Sequence, residues 1–219
     1  MQQTDAQLSR YYAARAREYE QIYGKPERQA DLARLKEVLP RYFVARDVLE
    51  IACGTGYWTQ FIAPVARTVT ATDINPETLA IARSKPLPPG RVRFDVADIN
   101  DLAPDYRNFT AAFAGFWWSH VPRTGCRAFI ESLRKALSPG AVVVVLDNRY
   151  VEGSSTPISH VDADGNSYQL RRLANGSEHT VLKNFPTEAE LVTAIGRYGT
   201  AIEYTELDYY WLLKYEVAA

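Results

Sequence analysis

Cysteine is scarce in this chain: Cys53 and Cys126 are the whole supply among 219 residues. Two thiols cannot build a disulfide framework, and neither stands at metal-ligand spacing from another. Blocks of like charge are missing as well, and 25 basic against 26 acidic residues give a formal net charge of -1. Nucleic-acid and membrane-surface proteins need a basic footprint, so neither partner is expected. Long apolar runs are absent. The longest clean one, residues 141–146, falls far short of the roughly 20 residues that cross a bilayer. The start, MQQTDAQLSRYY, is polar and lacks an apolar signal-peptide core, so a cytoplasmic protein is expected. There is no internal repeat, low-complexity tract or obvious linker. A chain of this length suits one domain over residues 1–219, as a monomer or homodimer.

What is present is an alternation of short strands and helices. Helical patterns cover residues 6–23, with tyrosines at 11, 12, 19 and 23, and residues 28–38, ending before Pro40. Strand patterns at 47–52, 68–73, 92–96, 109–113 and 141–146 are separated by helical stretches near 58–63, 76–83 and 125–137. Asn75-Pro76-Glu77 reads as a cap followed by proline at the first helical position. Such spacing predicts βαβ units and a parallel sheet. After Asn148 the rhythm changes. Residues 167–173 and 179–185 flank Asn175-Gly176, a hairpin signal, and a helix at 187–198 precedes two antiparallel runs, 201–207 and 210–217.

The stretch VLEIACGTGYWT, residues 48–59, carries the chemistry. A strand ends in Glu50 and breaks into Gly54-Thr55-Gly56; the next strands close on Asp73 and Asp98. Parallel α/β sheets bind ligands at the carboxyl ends of their strands, so these groups edge one pocket. Glycines let backbone approach a ligand closely, and an acid about 20 residues onward suits a ribose diol. The dinucleotide fingerprint wants a third glycine where Thr59 stands, and Glu50 would repel a pyrophosphate. The pocket therefore prefers a nucleoside with a zwitterionic tail, S-adenosylmethionine.

This arrangement resembles the class I S-adenosylmethionine-dependent methyltransferases of the small-molecule type, over roughly residues 47–146. Glu50, Gly54 and Gly56 match the family's first motif, Asp73 its ribose acid, and Asp98 its adenine acid, with Ile99 beside the ring. FTAAFAGFWWSHVP is similar to the family segment after strand four, with Thr110 for the usual aspartate and Ser119 for the first of two histidines, leaving His120. RYYAARAREYEQIY is similar to the family's lid, with Tyr12 and Tyr19 at its tyrosine positions and Ala13 replacing its first acid.

The resemblance implies a Rossmann-like fold: a seven-stranded, mostly parallel sheet with an antiparallel last strand. It also implies a helical lid over residues 1–40 and a substrate-side hairpin insertion over 151–186. Cofactor contacts are expected from Tyr12, Tyr19, Glu50, Ala52, Gly54, Thr55, Gly56, Trp58, Asp73, Ile74, Asp98, Ile99, Ala114 and Phe116. Trp117, Trp118, Arg149 and Tyr150 are expected at the substrate, and His120 as a base or hydrogen-bond partner with a near-neutral pKa.

No metal is expected, because Ala114, Gly115 and Phe116 stand where metal-dependent catechol methylation wants acids. Nucleobase amino methylation wants an N/D-P-P-Y/F/W turn where this chain reads AGFW, and cytosine C5 chemistry wants a cysteine after proline where Cys126 follows Gly125. A small acceptor, aromatic or amphiphilic, is the remaining expectation, methylated by metal-free in-line displacement with S-adenosylhomocysteine as the other product. Two other classes stay open: a nicotinamide-dependent oxidoreductase, and a non-catalytic protein that binds the nucleoside and serves as an interaction partner.

Overall fold

The computed structural model describes residues 2–103 and 105–218; Met1, Pro104 and Ala219, which the expected 1–219 unit includes, lie outside the described residues. Seven strands form the main sheet: β1 (Asp47–Ile51), β2 (Thr68–Asp73), β3 (Val92–Val96), β4 (Phe109–Gly115), β5 (Leu137–Asn148), β9 (Gly199–Glu206) and β10 (Tyr210–Val217). Their spatial order is β3-β2-β1-β4-β5-β10-β9. The first five are mutually parallel, and β10 runs antiparallel to both β5 and β9. Strand order reverses between β1 and β4, which is where a ligand crevice opens in such sheets.

Alternation along the strands sends side chains to both faces, and both are covered. Leu49, Ile51, Val143 and Val145 pack with Phe129, Ile130 and Leu133 of α5 (Cys126–Lys135) and with Leu191 and Ile195 of α6 (Glu188–Ile195). Val48, Val142, Val144 and Leu146 pack with Leu32 and Leu35 of α2 (Gln29–Val38) and Ile62 of α3 (Thr59–Ile62). On the edge, α4 (Pro76–Arg83) begins with Pro76 behind Asn75, as its sequence predicts. A capping box starts α6: the Thr187 hydroxyl accepts from the Glu190 backbone N–H while the Glu190 carboxylate accepts from the Thr187 N–H.

Three differences from the sequence reading bear on the site. The helix expected over 6–23 stops at Arg15, giving α1 (Gln2–Arg15), and Tyr19–Gly24 form a 3-10 helix. Tight bonds from the Ala16 N–H to the Ala13 carbonyl and from the Glu18 N–H to the Arg15 carbonyl close the helix end. Beyond it the Tyr23 ring stacks on Tyr57 at 3.6 Å, a contact that tertiary packing favours over helix propensity. Strand β1 ends at Ile51 because Ala52 adopts φ +49. The expected hairpin is present as β7 (Ser167–Arg172) and β8 (Glu178–Leu182), with a further two-residue strand β6 (His160–Val161) beside β7. This small sheet packs on α1 through Leu8, Tyr11, Leu173 and Val181. Among the described residues, no helix is long and apolar enough to cross a membrane.

Candidate active site

A cleft of about 880 Å³, partly open to solvent, lies at the carboxyl ends of β1 to β4 beneath α1. Asp73 forms its near wall. Its carboxylate accepts the Gly54 N–H at 2.9 Å and the Asn75 N–H at 2.8 Å, which clamps the glycine turn to the end of β2. Only 8% of Asp73 is exposed, and burial raises its pKa against these hydrogen bonds. Gly54 stands at φ +56 and faces the cleft, with only the Tyr19 ring, at 3.9 Å, near the place a Cβ would occupy. At the far end Asp98 accepts from the backbone and side-chain N–H groups of Asn100. Ile74, half-exposed, and Ile99 line the cleft between the two acids. Ser9 of α1 donates to Asn75 at 2.7 Å and ties the helix across the opening.

These features fit S-adenosylmethionine: an acid clamped to the glycine turn, a second acid at the far end, apolar flanks, and backbone open at Gly54. Of the expected contacts, Tyr12, Tyr19, Ala52, Gly54, Asp73, Ile74, Asp98, Ile99 and Phe116 line the cleft. Five others stand behind it. Glu50 is 1% exposed, accepts from the Thr59 hydroxyl at 2.7 Å, and burial pushes its carboxyl up to about 8. It braces the turn from below, and Thr59, the residue in place of the third glycine, is its partner. The Thr55 hydroxyl donates to Glu20 at 2.6 Å. Gly56, at φ +71, is pressed against α4, where a Cβ would sit 3.0 Å from that of Ala82. Trp58 and Ala114 are core residues.

His120 is held at both ring nitrogens. With Nδ1 donating to the Leu182 carbonyl at 2.7 Å, Nε2 is left to accept from the Tyr12 hydroxyl, also at 2.7 Å. Its pKa lies well below the usual histidine value, not near it as expected. Burial is the largest cause, followed by the positive charges of Lys183 and Arg171. His120 is therefore neutral and tied to α1 through Tyr12.

A second cavity, about 1150 Å³, opens on the other side of Tyr12, Tyr19 and Phe116, which line both spaces. Phe116 holds positive φ, +61, at this boundary, and Ala52 does so, +49, in the first cleft, backbone strain of the kind found at functional sites. The remaining walls of the second cavity include Arg15, Arg28, Asn148, Gln169, Arg171 and Lys183. Lys183 is buried against Asp147 at 3.0 Å and donates to Ser119 at 2.5 Å, so the serine in the family's histidine position holds a lysine. Burial brings the Lys183 ammonium down to about 8.

The expected substrate residues are only partly here. Trp117 lines the first cleft. Trp118 is 3% exposed and packs edge-on to Phe129 in the core. Arg149 pairs with Glu206 and donates to the Leu207 carbonyl, bracing the β9–β10 turn. Tyr150 lies on the surface against Phe185. Asn148, the last residue of β5, lines the cavity and accepts from Arg28 at 3.0 Å.

A family of methyltransferase domains matches residues 48–140. The ubiquinone biosynthesis O-methyltransferase of Xanthomonas axonopodis pv. citri is 31% identical over 160 residues, 71% of this chain. The chain spans 63% of that protein's length. The counterpart from Xanthomonas euvesicatoria pv. vesicatoria is 30% identical over 184 residues, 82% of this chain and 73% of the relative. Among solved structures, a DhpI–SAH complex superposes with a TM-score of 0.80 at 30% identity, covering 98% of this chain and 97% of DhpI. A DhpI–SAM–HEP complex gives 0.78 at 31% identity, with 97% of each chain covered. Fold and cleft together are those of an α/β protein with a ligand crevice at the switch point of its sheet. The chain belongs to the S-adenosylmethionine-dependent methyltransferase family.

Proposed function

We propose that the chain transfers a methyl group from the first cleft to an oxygen of a small acceptor in the second cavity, without a metal. The observation that carries this reading is the shared wall: Tyr12, Tyr19 and Phe116 line both spaces, so a group reacting between them passes at these side chains. Asp73 would hold the ribose hydroxyls, Asp98 the adenine amino group, Ile74 and Ile99 the ring faces, and the Gly54 backbone the amino-acid end. When bound, S-adenosylmethionine supplies an electrophilic methyl carbon whose displacement leaves a neutral thioether. The protein then has to align the acceptor and exclude water. The Xanthomonas relatives are O-methyltransferases, which supports oxygen as the acceptor atom. Aromatic walls joined to polar, cationic ones support an amphiphilic acceptor.

The same reading makes residues 1–219 one catalytic unit, with 1–40 as its lid and 151–186 as the acceptor-side insertion. The Ser9–Asn75 bond and the Tyr12–His120 bond support a lid that is fastened on both sides of the cleft. His120 acts through Tyr12: its unprotonated Nε2 accepts from the phenol and fixes its orientation at the boundary of the two spaces. The test is S-adenosylhomocysteine release over a panel of small oxygen acceptors. His120→Asn is expected to cut turnover about 10²-fold, the cost of misplacing a group that aligns the acceptor, and to change cofactor affinity far less. A drop of less than about tenfold would mean that His120 does not position Tyr12 for the reaction.

A further inference from the structure

The second cavity carries a charge that methyl transfer by itself does not require. Arg15, Lys25, Arg28, Arg171, Arg172 and Lys183 line it, against a single carboxylate, Glu18. The whole chain has a net charge of -1, so this concentration is local. Among the described residues, only Lys183 of the six has a carboxylate partner, Asp147. Arg171 spends Nε and one Nη on the neutral Gln169 side chain, with a 3.5 Å contact to the Tyr11 hydroxyl. Arg15 lies over the rings of Tyr11 and Tyr19 at 5.7 and 5.5 Å, and Arg171 lies over the same Tyr11 ring at 5.8 Å. Two guanidiniums on one ring, facing a buried ammonium, repel one another in a medium that screens poorly. Hydrogen bonds to neutral groups do not offset that; an anion does.

We propose that the second cavity holds the acceptor by an oxyanion, a phosphate, phosphonate or carboxylate group, with Arg15, Arg171 and Lys183 as its ligands. The proposal rests on the reading of this cavity as the acceptor site. Lys183 has three N–H groups and gives two, to Ser119 and Asp147, so one remains for an anion. Arg171 keeps N–H groups beyond those given to Gln169 and Tyr11, in the forked geometry that suits an oxyanion. Three elements of the fold contribute: Arg15 ends α1, Arg171 lies in β7, and Lys183 follows β8. An anion here would bind lid and insertion to each other, and it would sit on the far side of Tyr12 from the cofactor cleft.

The experiment is calorimetric titration of inorganic phosphate, and of acetate in a parallel arm, into protein saturated with S-adenosylhomocysteine at constant ionic strength set by chloride. Saturable binding of one of the anions is expected. Arg171→Gln should weaken it at least about tenfold, as loss of a charge-assisted hydrogen bond does, and Arg171→Lys should recover part. Both variants should keep S-adenosylhomocysteine affinity within about twofold, which shows that they fold. Stronger phosphate than acetate binding assigns a phosphate or phosphonate acceptor, and the reverse assigns a carboxylate; either supports the proposal. No saturable binding of either anion, or equal binding by parent and Arg171→Gln, overturns it. The acceptor-site reading is tested apart from this, by Thr156→Trp, which fills the cavity from an exposed position on its wall. Loss of turnover on a neutral acceptor in that variant would keep the reading while the oxyanion site falls.

Discussion

Lys183→Met should destabilise the protein by about 3–5 kcal/mol, the cost of leaving one member of a buried ion pair without its partner. Asp147 is fully buried, and among the described residues Lys183 is the only cation paired with it. The Asp147 carboxylate would keep the Ser119 N–H at 2.9 Å and the Asn148 N–H at 2.7 Å, which places the expected loss at the lower end of that range. The serine hydroxyl would also lose its donor. Urea unfolding followed by circular dichroism reads the change directly. The double variant Lys183→Met/Asp147→Asn removes the stranded charge and should recover a large part of the stability. A single variant as stable as the parent would mean that Asp147 and Lys183 are not held as a charged pair.

Asp73→Ala should weaken S-adenosylhomocysteine binding by roughly 1.5–3 kcal/mol, about 10- to 150-fold, as hydrogen bonds to a charged group are lost. The site makes this variant more than a test of binding. Asp73 also satisfies the N–H groups of Gly54 and Asn75, so alanine strands two buried donors and loosens the turn. The sequence suggests a strand-end acid outside the core; the structure buries it. Asp73→Asn keeps one acceptor oxygen for the turn and separates the two effects. It should bind more weakly than the parent while its melting temperature falls less than that of the alanine variant. Parental affinity in both variants would remove Asp73 from the cofactor site.

The first cleft was legible in the sequence because many of its residues fall at strand ends within one stretch. Glu50, Gly54, Asp73 and Asp98 are spaced by the βαβ repeat itself, and a parallel sheet gathers its strand ends on one edge. What the spacing does not reveal is depth. Glu50 and Gly56 belong to the motif yet support the turn from behind, against Thr59 and Ala82. The second cavity was not legible for a different reason. Arg15, Arg28, Arg171 and Lys183 lie on four separate segments, and tertiary packing alone brings them together. One signal was available: Lys183 interrupts the apolar run VLKNF, and a lysine there needs a buried partner. Arg149 is held by Glu206 and the Leu207 carbonyl, and Tyr150 packs on Phe185, contacts between distant segments that the sequence does not show.

Hydrogen exchange with and without S-adenosylhomocysteine tests the central claim most directly, that the nucleoside sits in the first cleft beneath a closing α1. The account predicts slower exchange on binding in residues 8–23, in the Ala52–Gly56 turn and around Asp73 and Asp98, with the outer strands β9 and β10 unchanged. Equal exchange of residues 8–23 in the two states would contradict the lid, and equal exchange at the turn as well would contradict the site.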